Sequence, residues 1–391
     1  MPIFLLGVDT EGIGIGDRLS WVWHSNAYQN IIVIACLVAA GWLLRYAARQ
    51  EHWRNAARQI RGNRLAMVCL FILLGYLLIG VLDSIQWRDP LIRQTDQVLT
   101  RNEDGAVVYK PRSLSLLDRL CTPLRERTEK TYSAPLATRL YAKTNVQTAD
   151  GRTIRDYPPL EHPRTHLLGT DKVGSDVFYR ALKGVRTGLI IGGFTTLIAV
   201  PFAMLFGVIA GYFGGWVDDA VQYIYATLAS IPSILLIVAF MLLFGQGLFN
   251  LCLIMGISSW TGLCRILRGE TLKLRELEYI QAAEAFGVRR GLIILKHIIP
   301  NLMHIVLITA ILRFSGLVLT EALLSYLQIG VDPTTGSWGN MINTARLELA
   351  RDPIVWWNLA AAFAFMFGLV LPANLFGDAV RDALDPRLRT E

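Results

Sequence analysis

The sequence predicts an all-α integral membrane protein with about seven transmembrane helices and an extracytoplasmic insertion. The 391 residues are 53% hydrophobic and only 18% charged, whereas soluble domains are roughly a quarter charged. The apolar residues also fall in runs close to the ~20 residues that cross a bilayer as a helix. A soluble core does not explain about seven such runs. The runs are Ala27 to Leu44, Leu65 to Ile85, Gly188 to Phe213, Ala220 to Phe244, Leu248 to Leu263, Ile298 to Leu324 and Ile354 to Phe376.

The positive charge is distributed as in a membrane protein rather than a nucleic-acid-binding protein. The net charge is +7. Six arginines between positions 45 and 64 fill the stretch between the first two runs, and a second basic cluster extends from Arg265 to Lys296. Short basic loops stay cytoplasmic. Both clusters lie on that side if the N-terminus is outside and the C-terminus is cytoplasmic, and we expect this orientation, with membrane lipid and no nucleic acid as a partner.

Four regions follow from these runs. Residues 1–64 are a membrane anchor and a basic cytoplasmic linker, 65–86 the first core helix, 87–186 an extracytoplasmic insertion, and 187–391 a helical core with a cytoplasmic loop at 265–297. The insertion contains turn and strand signals at 102–109 and an Asp-Gly turn within 149–152, typical of hairpins. A small lid or docking domain and a partly ordered loop both remain open for it.

Small and charged residues mark positions within the runs. Glycines recur every four residues in and around the third run, where they favour close helix packing, either within the subunit or against a partner. We expect Pro201 to kink this helix. Asp83, at the end of the second run, is expected to be solvated. The glycines are Gly184, Gly188, Gly192, Gly207, Gly211 and Gly215.

The segment from Glu278 to Asn301, called here the docking segment, predicts a short cytoplasmic helix that ends at Gly287. Ala282 and Ala283 are small and leave a shallow apolar face with charged residues on either side. A helix of this kind suits insertion into a groove on a soluble partner. An amphipathic connector, or a helix in the lipid interface, is the alternative.

The docking segment resembles the Glu-Ala-Ala loop of ABC importer permeases, in which Glu-Ala-Ala, three residues and Gly precede an apolar residue and Pro. Ala282, Ala283 and Gly287 fit that pattern, as do Ile298 and Pro300. Gln281 stands where the family has Glu. The docking role therefore depends on the helix and its turn rather than on a carboxylate at this position.

Other motifs resemble dipeptide/oligopeptide permeases of the C type. Residues 166–177 resemble the segment before a span in that family, with Ser175 where the family usually has Arg. Residues 321–340 resemble the segment after the next-to-last span, and Gly214 to Asp218 also matches. The resemblance extends from about His166 to Arg387. It implies a type I ABC importer permease core plus one extra N-terminal helix, since the typical member has six spans.

The resemblance also implies a function and partners. Two permease subunits would form the pathway, two cytoplasmic ATP-binding subunits would use ATP to drive it, and an extracytoplasmic substrate-binding protein would deliver substrate. This chain would be half of the pathway, in a bacterial inner membrane, with no catalytic residues, metal or cofactor of its own. Residues 169–174 have glycine spacing like a P-loop but lack its Lys-Ser/Thr, so we interpret them as a turn. The implied ATPase-coupling residues are Glu278, Gln281, Ala282, Ala283, Phe286, Gly287 and Arg289.

The substrate is less defined than the transport class. Di- or oligopeptides are the first hypothesis, and a nickel chelate, glutathione or a peptide antibiotic are alternatives within the family. Arg313 and Glu321 lie ~12 Å apart along the sixth run, where charged groups face a cavity or a partner. They are candidates for the translocation pathway, for pairing with a partner subunit or, for Glu321, for a place near the outer surface. A membrane-embedded enzyme would need clustered catalytic side chains, and the runs contain only isolated charges.

Overall fold

The structure is a computed structural model that describes residues 27–49, 51–89, 113–147 and 153–384. The described chain is mainly helical, with two small two-stranded sheets. The elements up to the long central helix are α1 (Ala27–Ala48), α2 (Glu51–Gly62), α3 (Arg64–Ser84), β1 (Gln86–Trp87), β2 (Leu114–Ser115), α4 (Leu116–Leu120), α5 (Thr122–Glu126), β3 (Thr144–Gln147), β4 (Thr153–Asp156) and α6 (Val177–Phe213). The later elements are α7 (Gly215–Ser230), α8 (Ser233–Phe244), α9 (Leu248–Arg275), α10 (Glu278–Ala285), α11 (Arg290–Ile293), α12 (Ile299–Tyr326), α13 (Trp338–Glu348) and α14 (Trp357–Leu384).

Five helices in the described ranges are long and apolar enough to cross a membrane. They are α3, α6, α9, α14 and the helix Arg290–Tyr326. The last of these contains α11, a π-helical turn over Ile294–Ile298 and α12. Pro300 follows the π turn and has no N–H to continue the regular ladder. The predicted all-α membrane fold is confirmed.

The fourth predicted run is not one straight helix. The sequence predicts a single span over residues 220–244, but α7 and α8 meet at a bend of 82°. The break falls at Ile231 and Pro232, and Ile231 has extended backbone angles. A residue before proline is driven out of the helical region, and proline itself lacks the N–H that a helix needs. The pair counts as a sixth candidate span if taken as one.

The first predicted run, residues 27–44, is a helix in the structure. It forms α1, which has 22 residues and is not among the five helices above. That it crosses the membrane stays a prediction. A polar helix, α2, follows it, and Asn63 then caps α3 by accepting from the backbone N–H groups of Leu65 and Ala66.

The insertion is partly described. β1 pairs antiparallel with β2, and β3 pairs antiparallel with β4. The paired strands β3 and β4 lie on either side of the Asp-Gly turn predicted within 149–152. That segment and the strand predicted at 102–109 lie outside the described residues. Helix α6 begins at Val177, before the predicted end of the insertion at residue 186.

Helix α6 organises the helical core. Its 37 residues extend ~55 Å at ~1.5 Å per residue, against a hydrocarbon thickness of ~30 Å. The helix continues through Pro201 without interruption. Because it is longer than the bilayer core, α6 contacts the insertion at its N-terminal end and the docking segment at its C-terminal end.

The predicted glycine stripe lets other elements approach α6 closely. A Cβ at Gly207 would lie 2.7 Å from the carbonyl oxygen of Cys264, and one at Gly211 2.7 Å from that of Arg268, both on α9. A Cβ at Gly184 would lie 2.6 Å from the indole of Trp338. These glycines therefore pack within the subunit, which is one of the two alternatives that the sequence left open.

Candidate functional site

Helix α10 is closed by a glycine turn. Gly287 has φ of +75°. The N–H of Val288 donates to the carbonyl of Ala283 at 3.1 Å, and the N–H of Gly287 donates to that of Glu284 at 2.9 Å. This pair of bonds is a Schellman motif, which satisfies the last carbonyls of a helix through a left-handed residue. The predicted helix stop at Gly287 is confirmed.

The docking segment is fixed to the helical core through its isoleucines. Ile280, Ile293 and Ile298 are at most 1% exposed. They share one apolar cluster with Leu267 of α9 and Leu302 of α12, and with residues of α6. Full burial of an isoleucine side chain contributes ~1.5–3 kcal/mol. The segment therefore packs against the ends of three long helices.

Polar contacts connect the segment to the same ends. The hydroxyl of Tyr212, in the last turn of α6, donates to the carboxylate of Glu284 at 2.5 Å. The amide of Asn301 donates to the hydroxyl of Tyr279 at 3.2 Å. Arg275, the last residue of α9, donates to the backbone carbonyl of Gly211 at 3.2 Å. The first two of these bonds connect α10 to α6 and α12.

The opposite side of α10 faces outward. Phe286 is 87% exposed, although it lies in a segment that is otherwise well anchored. Among the described residues, Gln281 donates its amide only to Glu276, at 3.3 Å to the backbone oxygen. The Phe286 ring is therefore available for a contact outside this chain. Of the predicted coupling residues, Ala283 is half-buried, and those exposed are Glu278, Gln281, Ala282, Phe286, Gly287 and Arg289.

The two charged residues of the sixth run have separate surroundings. Glu321 is 1% exposed, and its carboxylate accepts from the hydroxyls of Ser325 at 2.8 Å and Ser337 at 2.6 Å. Half-buried Arg313 donates to the backbone carbonyl of Ser259 on α9. Glu321 therefore joins the end of α12 to the start of α13. A pathway role for either residue stays a prediction.

A buried charge network at the N-terminal end of α6 was not predicted. The ammonium of Lys183 lies 2.5 Å from the carboxylate of Asp83 and 2.9 Å from that of Asp118. Ser115 donates to Asp83 at 2.7 Å, and Tyr179 donates to Asp118 at 2.6 Å. The network joins α3, α4 and α6. The expectation that Asp83 is solvated is wrong, since it is 1% exposed and paired with a lysine from a neighbouring helix.

The pKa of Asp118 reflects this network. Burial raises it, but the backbone N–H of Ser115, the hydroxyl of Tyr179 and the ammonium of Lys183 outweigh that effect, and the pKa of Asp118 is lowered from its usual value. The carboxylate is therefore held ionised. Tyr179 and Lys183, spaced four apart on α6, share a helix face, which is the one signal that sequence inspection could have used.

Residues 169–174 form a turn, as predicted. Gly169 and Gly174 have φ of +73° and +72°. The carboxylate of Asp171 accepts from the N–H groups of Val173 and Ser175, both at 2.9 Å, and also pairs with Arg180. A Cβ at Gly174 would collide with backbone atoms of the insertion. This motif fastens the insertion to the start of α6.

The family model for the binding-protein-dependent transport system inner membrane component matches residues 203–390, which include the docking segment. The dipeptide transport system permease protein DppC of Alkalihalophilus pseudofirmus is 30% identical over 339 residues, 86% of this chain and 91% of that protein. The chain belongs to the dipeptide/oligopeptide family of ABC importer permeases.

Other members of the family are similarly close. The oligopeptide permease OppC of Bacillus subtilis is 34% identical over 257 residues, 66% of this chain and 80% of that protein. The glutathione permease GsiD of Pectobacterium atrosepticum is 36% identical over 245 residues, 62% of this chain and 80% of that protein. As a permease of this family, the chain is a multi-pass inner-membrane protein that works with other transporter subunits.

Proposed function

We propose that this permease forms half of a peptide import pathway and that α10 docks into a groove on a cytoplasmic ATP-binding subunit. The observation that carries the proposal is the geometry of α10. One side is anchored by Ile280 to the ends of the long helices, and the other presents Phe286 to solvent. A short helix with this division suits a helix-in-groove contact.

The anchoring supplies a mechanical route for coupling. When the ATP-binding subunits close, α10 moves with the groove that holds it. The bond from Tyr212 to Glu284 and the isoleucine cluster oblige α6, α9 and α12 to follow. Rigid-body rocking of packed helices then alternates access between the two membrane faces.

The proposed assembly contains a second permease subunit, two ATP-binding subunits and an extracytoplasmic substrate-binding protein. ATP is used by the partners and not by this chain. The turn at residues 169–174 supports this assignment, since Asp171 occupies its N–H groups and no lysine of a P-loop follows it. In the proposed orientation the N-terminus is outside and the C-terminus is cytoplasmic. Leu5→Cys should then react with a membrane-impermeant maleimide in intact cells, and protection of that thiol would contradict the orientation.

Short peptides are the proposed substrates. Two relatives that this chain matches over most of their length are named as dipeptide and oligopeptide permeases. Glutathione is the second candidate, from a relative of similar identity. Uptake by the reconstituted complex with its binding protein distinguishes them. Radiolabelled di- and oligopeptides should compete with one another for uptake, and transport of glutathione without transport of peptides would replace the first candidate by the second.

Docking through α10 is tested with Phe286→Ala. An exposed aromatic anchor in an interface contributes ~2 kcal/mol or more, so retention of the ATP-binding subunits by the purified permease should fall about 30-fold. Phe249→Ala is the matched control, because Phe249 is 64% exposed but lies at the other end of α9. Equal retention by wild type and Phe286→Ala, or equal loss in both variants, would contradict the docking assignment.

A further inference from the structure

Helix α2 has a basic face that no described residue neutralises. Arg54, Arg58 and Arg61 are exposed, and none forms an ion pair with a residue in the described ranges. At 3.6 residues per turn they project opposite Ala56, which is 3% exposed. One side of α2 is therefore fixed to the protein, and three guanidinium groups are presented on the other.

Helix α2 lies at the membrane face. Ala56 packs in a cluster with Val380, Ala383 and Leu384 at the end of the membrane helix α14. The membrane helix α3 starts at Arg64, immediately after the end of α2. Both neighbours place α2 where the hydrocarbon core of the bilayer meets the headgroups.

An apolar groove of about 340 Å³ opens between four membrane helices close to α2. Two of its lining residues, Ile311 and Phe376, also belong to the cluster that holds α2. Leu73 on α3 lines the groove ~13 Å along the helix from Arg64. The complete lining is Leu73, Gly192, Gly193, Thr196, Ala310, Ile311, Phe314, Ala373 and Phe376.

We propose that α2 and this groove form a binding site for an anionic phospholipid. The phosphate contacts the arginines of α2, and one acyl chain enters the groove. Charge complementarity selects the occupant, because interfacial arginines attract anionic headgroups while the groove at membrane depth accepts only apolar chains. Leu73 lies ~13 Å along α3 from its first residue, within the ~15 Å depth of one leaflet of a ~30 Å hydrocarbon core, so the groove is at a depth that an acyl chain occupies.

The test is native mass spectrometry of the complete transporter after delipidation and addition of dioleoyl-phosphatidylglycerol or dioleoyl-phosphatidylcholine. Wild type should retain the anionic lipid about tenfold better, given the attraction of each arginine for an anionic surface. The variant R54Q/R58Q/R61Q should reduce that preference to about one. The control R127Q/R155Q/R164Q removes three exposed arginines from the insertion and should keep it.

The groove is tested separately with Gly193→Leu. Gly193 lines the groove, and a Cβ there meets no heavy atom of the described residues within 4 Å. A leucine side chain should therefore occupy groove volume, and retention of both lipids should fall. Gly316→Leu is the control, since Gly316 is equally open but does not line the groove. Three outcomes would overturn the site. They are equal retention of the two lipids by wild type, an unchanged lipid preference in R54Q/R58Q/R61Q, and unchanged lipid retention in Gly193→Leu. Loss of a partner subunit in place of lipid would also overturn it, by assigning the groove to a protein contact.

Discussion

Gly287 offers the sharpest test of the docking segment. It has φ of +75°, and apart from its chain neighbours no heavy atom of the described residues lies within 4 Å of a Cβ built there. A Cβ at this position therefore meets no clash with the described residues. The energetic cost of substitution comes from the backbone conformation, because a residue with a Cβ is ~1–2 kcal/mol less stable in the left-handed region. That energy corresponds to roughly a 5–30-fold fall in the population with the turn intact.

The size of the loss depends on the residue introduced. Gly287→Val should be the most damaging, since a β-branched residue at positive φ is a severe outlier, whereas Gly287→Asn should be tolerated best, because asparagine enters this region most readily. The assay is ATP-dependent peptide uptake by proteoliposomes that contain the whole transporter, with the amount of inserted permease measured in parallel. We expect uptake to be nearly abolished in Gly287→Val and largely kept in Gly287→Asn, with equal insertion.

The comparison separates two explanations. If the backbone turn matters, the ranking follows the left-handed preference of each residue. If the partner groove simply excludes side chains, Asn and Val, which are similar in size, reduce uptake equally. Equal losses in the two variants, or unchanged uptake in Gly287→Val, would refute the role assigned to the turn.

Three further predictions concern stability. Lys183→Met leaves Asp83 and Asp118 buried without their cation and should lower the unfolding free energy by about 3 kcal/mol, as measured by thermal unfolding in detergent. The control Lys273→Met removes an exposed ion pair and should change the unfolding free energy by less than about 1 kcal/mol. The pKa of Asp118 is held below its usual 3.8. The ionised carboxylate therefore stabilises the folded state fully above that pH, and this stabilisation is lost as the pH falls. The difference in unfolding free energy between wild type and Asp118→Asn should narrow below about pH 4. Gly211→Ala places a Cβ against the backbone of α9, where relief requires the two helices to separate, and should cost about 1–3 kcal/mol.

Each of these predictions has a contradicting result. Equal effects of Lys183→Met and Lys273→Met would mean that the buried network contributes no more than a surface pair. A stability difference for Asp118→Asn that is independent of pH would mean that its charge is not the stabilising feature. For Gly211, the matched control is Gly269→Ala, since a Cβ at Gly269 meets no heavy atom within 4 Å; equal costs would show that close helix packing is not the cause.

The sequence by itself determined the membrane class, the helical content and the docking segment, because each is encoded locally. Apolar runs near the length of a bilayer specify helices that must satisfy their own backbone groups. Gly287 specifies a helix stop through its backbone freedom alone. Even the bend at Ile231 and Pro232 is a local signal, although the apolar run around it predicts one span.

Tertiary structure alone decided which charges are paired and which faces are covered. Asp83 looked like a solvated helix end, and it became a buried ion-pair partner only because Lys183, 100 residues away, returns on a neighbouring helix. The glycine stripe of α6 could have met a partner subunit, and the fold placed α9, α12 and α13 against it instead. Such outcomes depend on the relative placement of helices, which apolar periodicity leaves undetermined because every membrane helix has a similar surface. For the docking segment, the sequence predicted the turn at Gly287. The packing of Ile280 against the helical core then decided which side of α10 remains free for a partner.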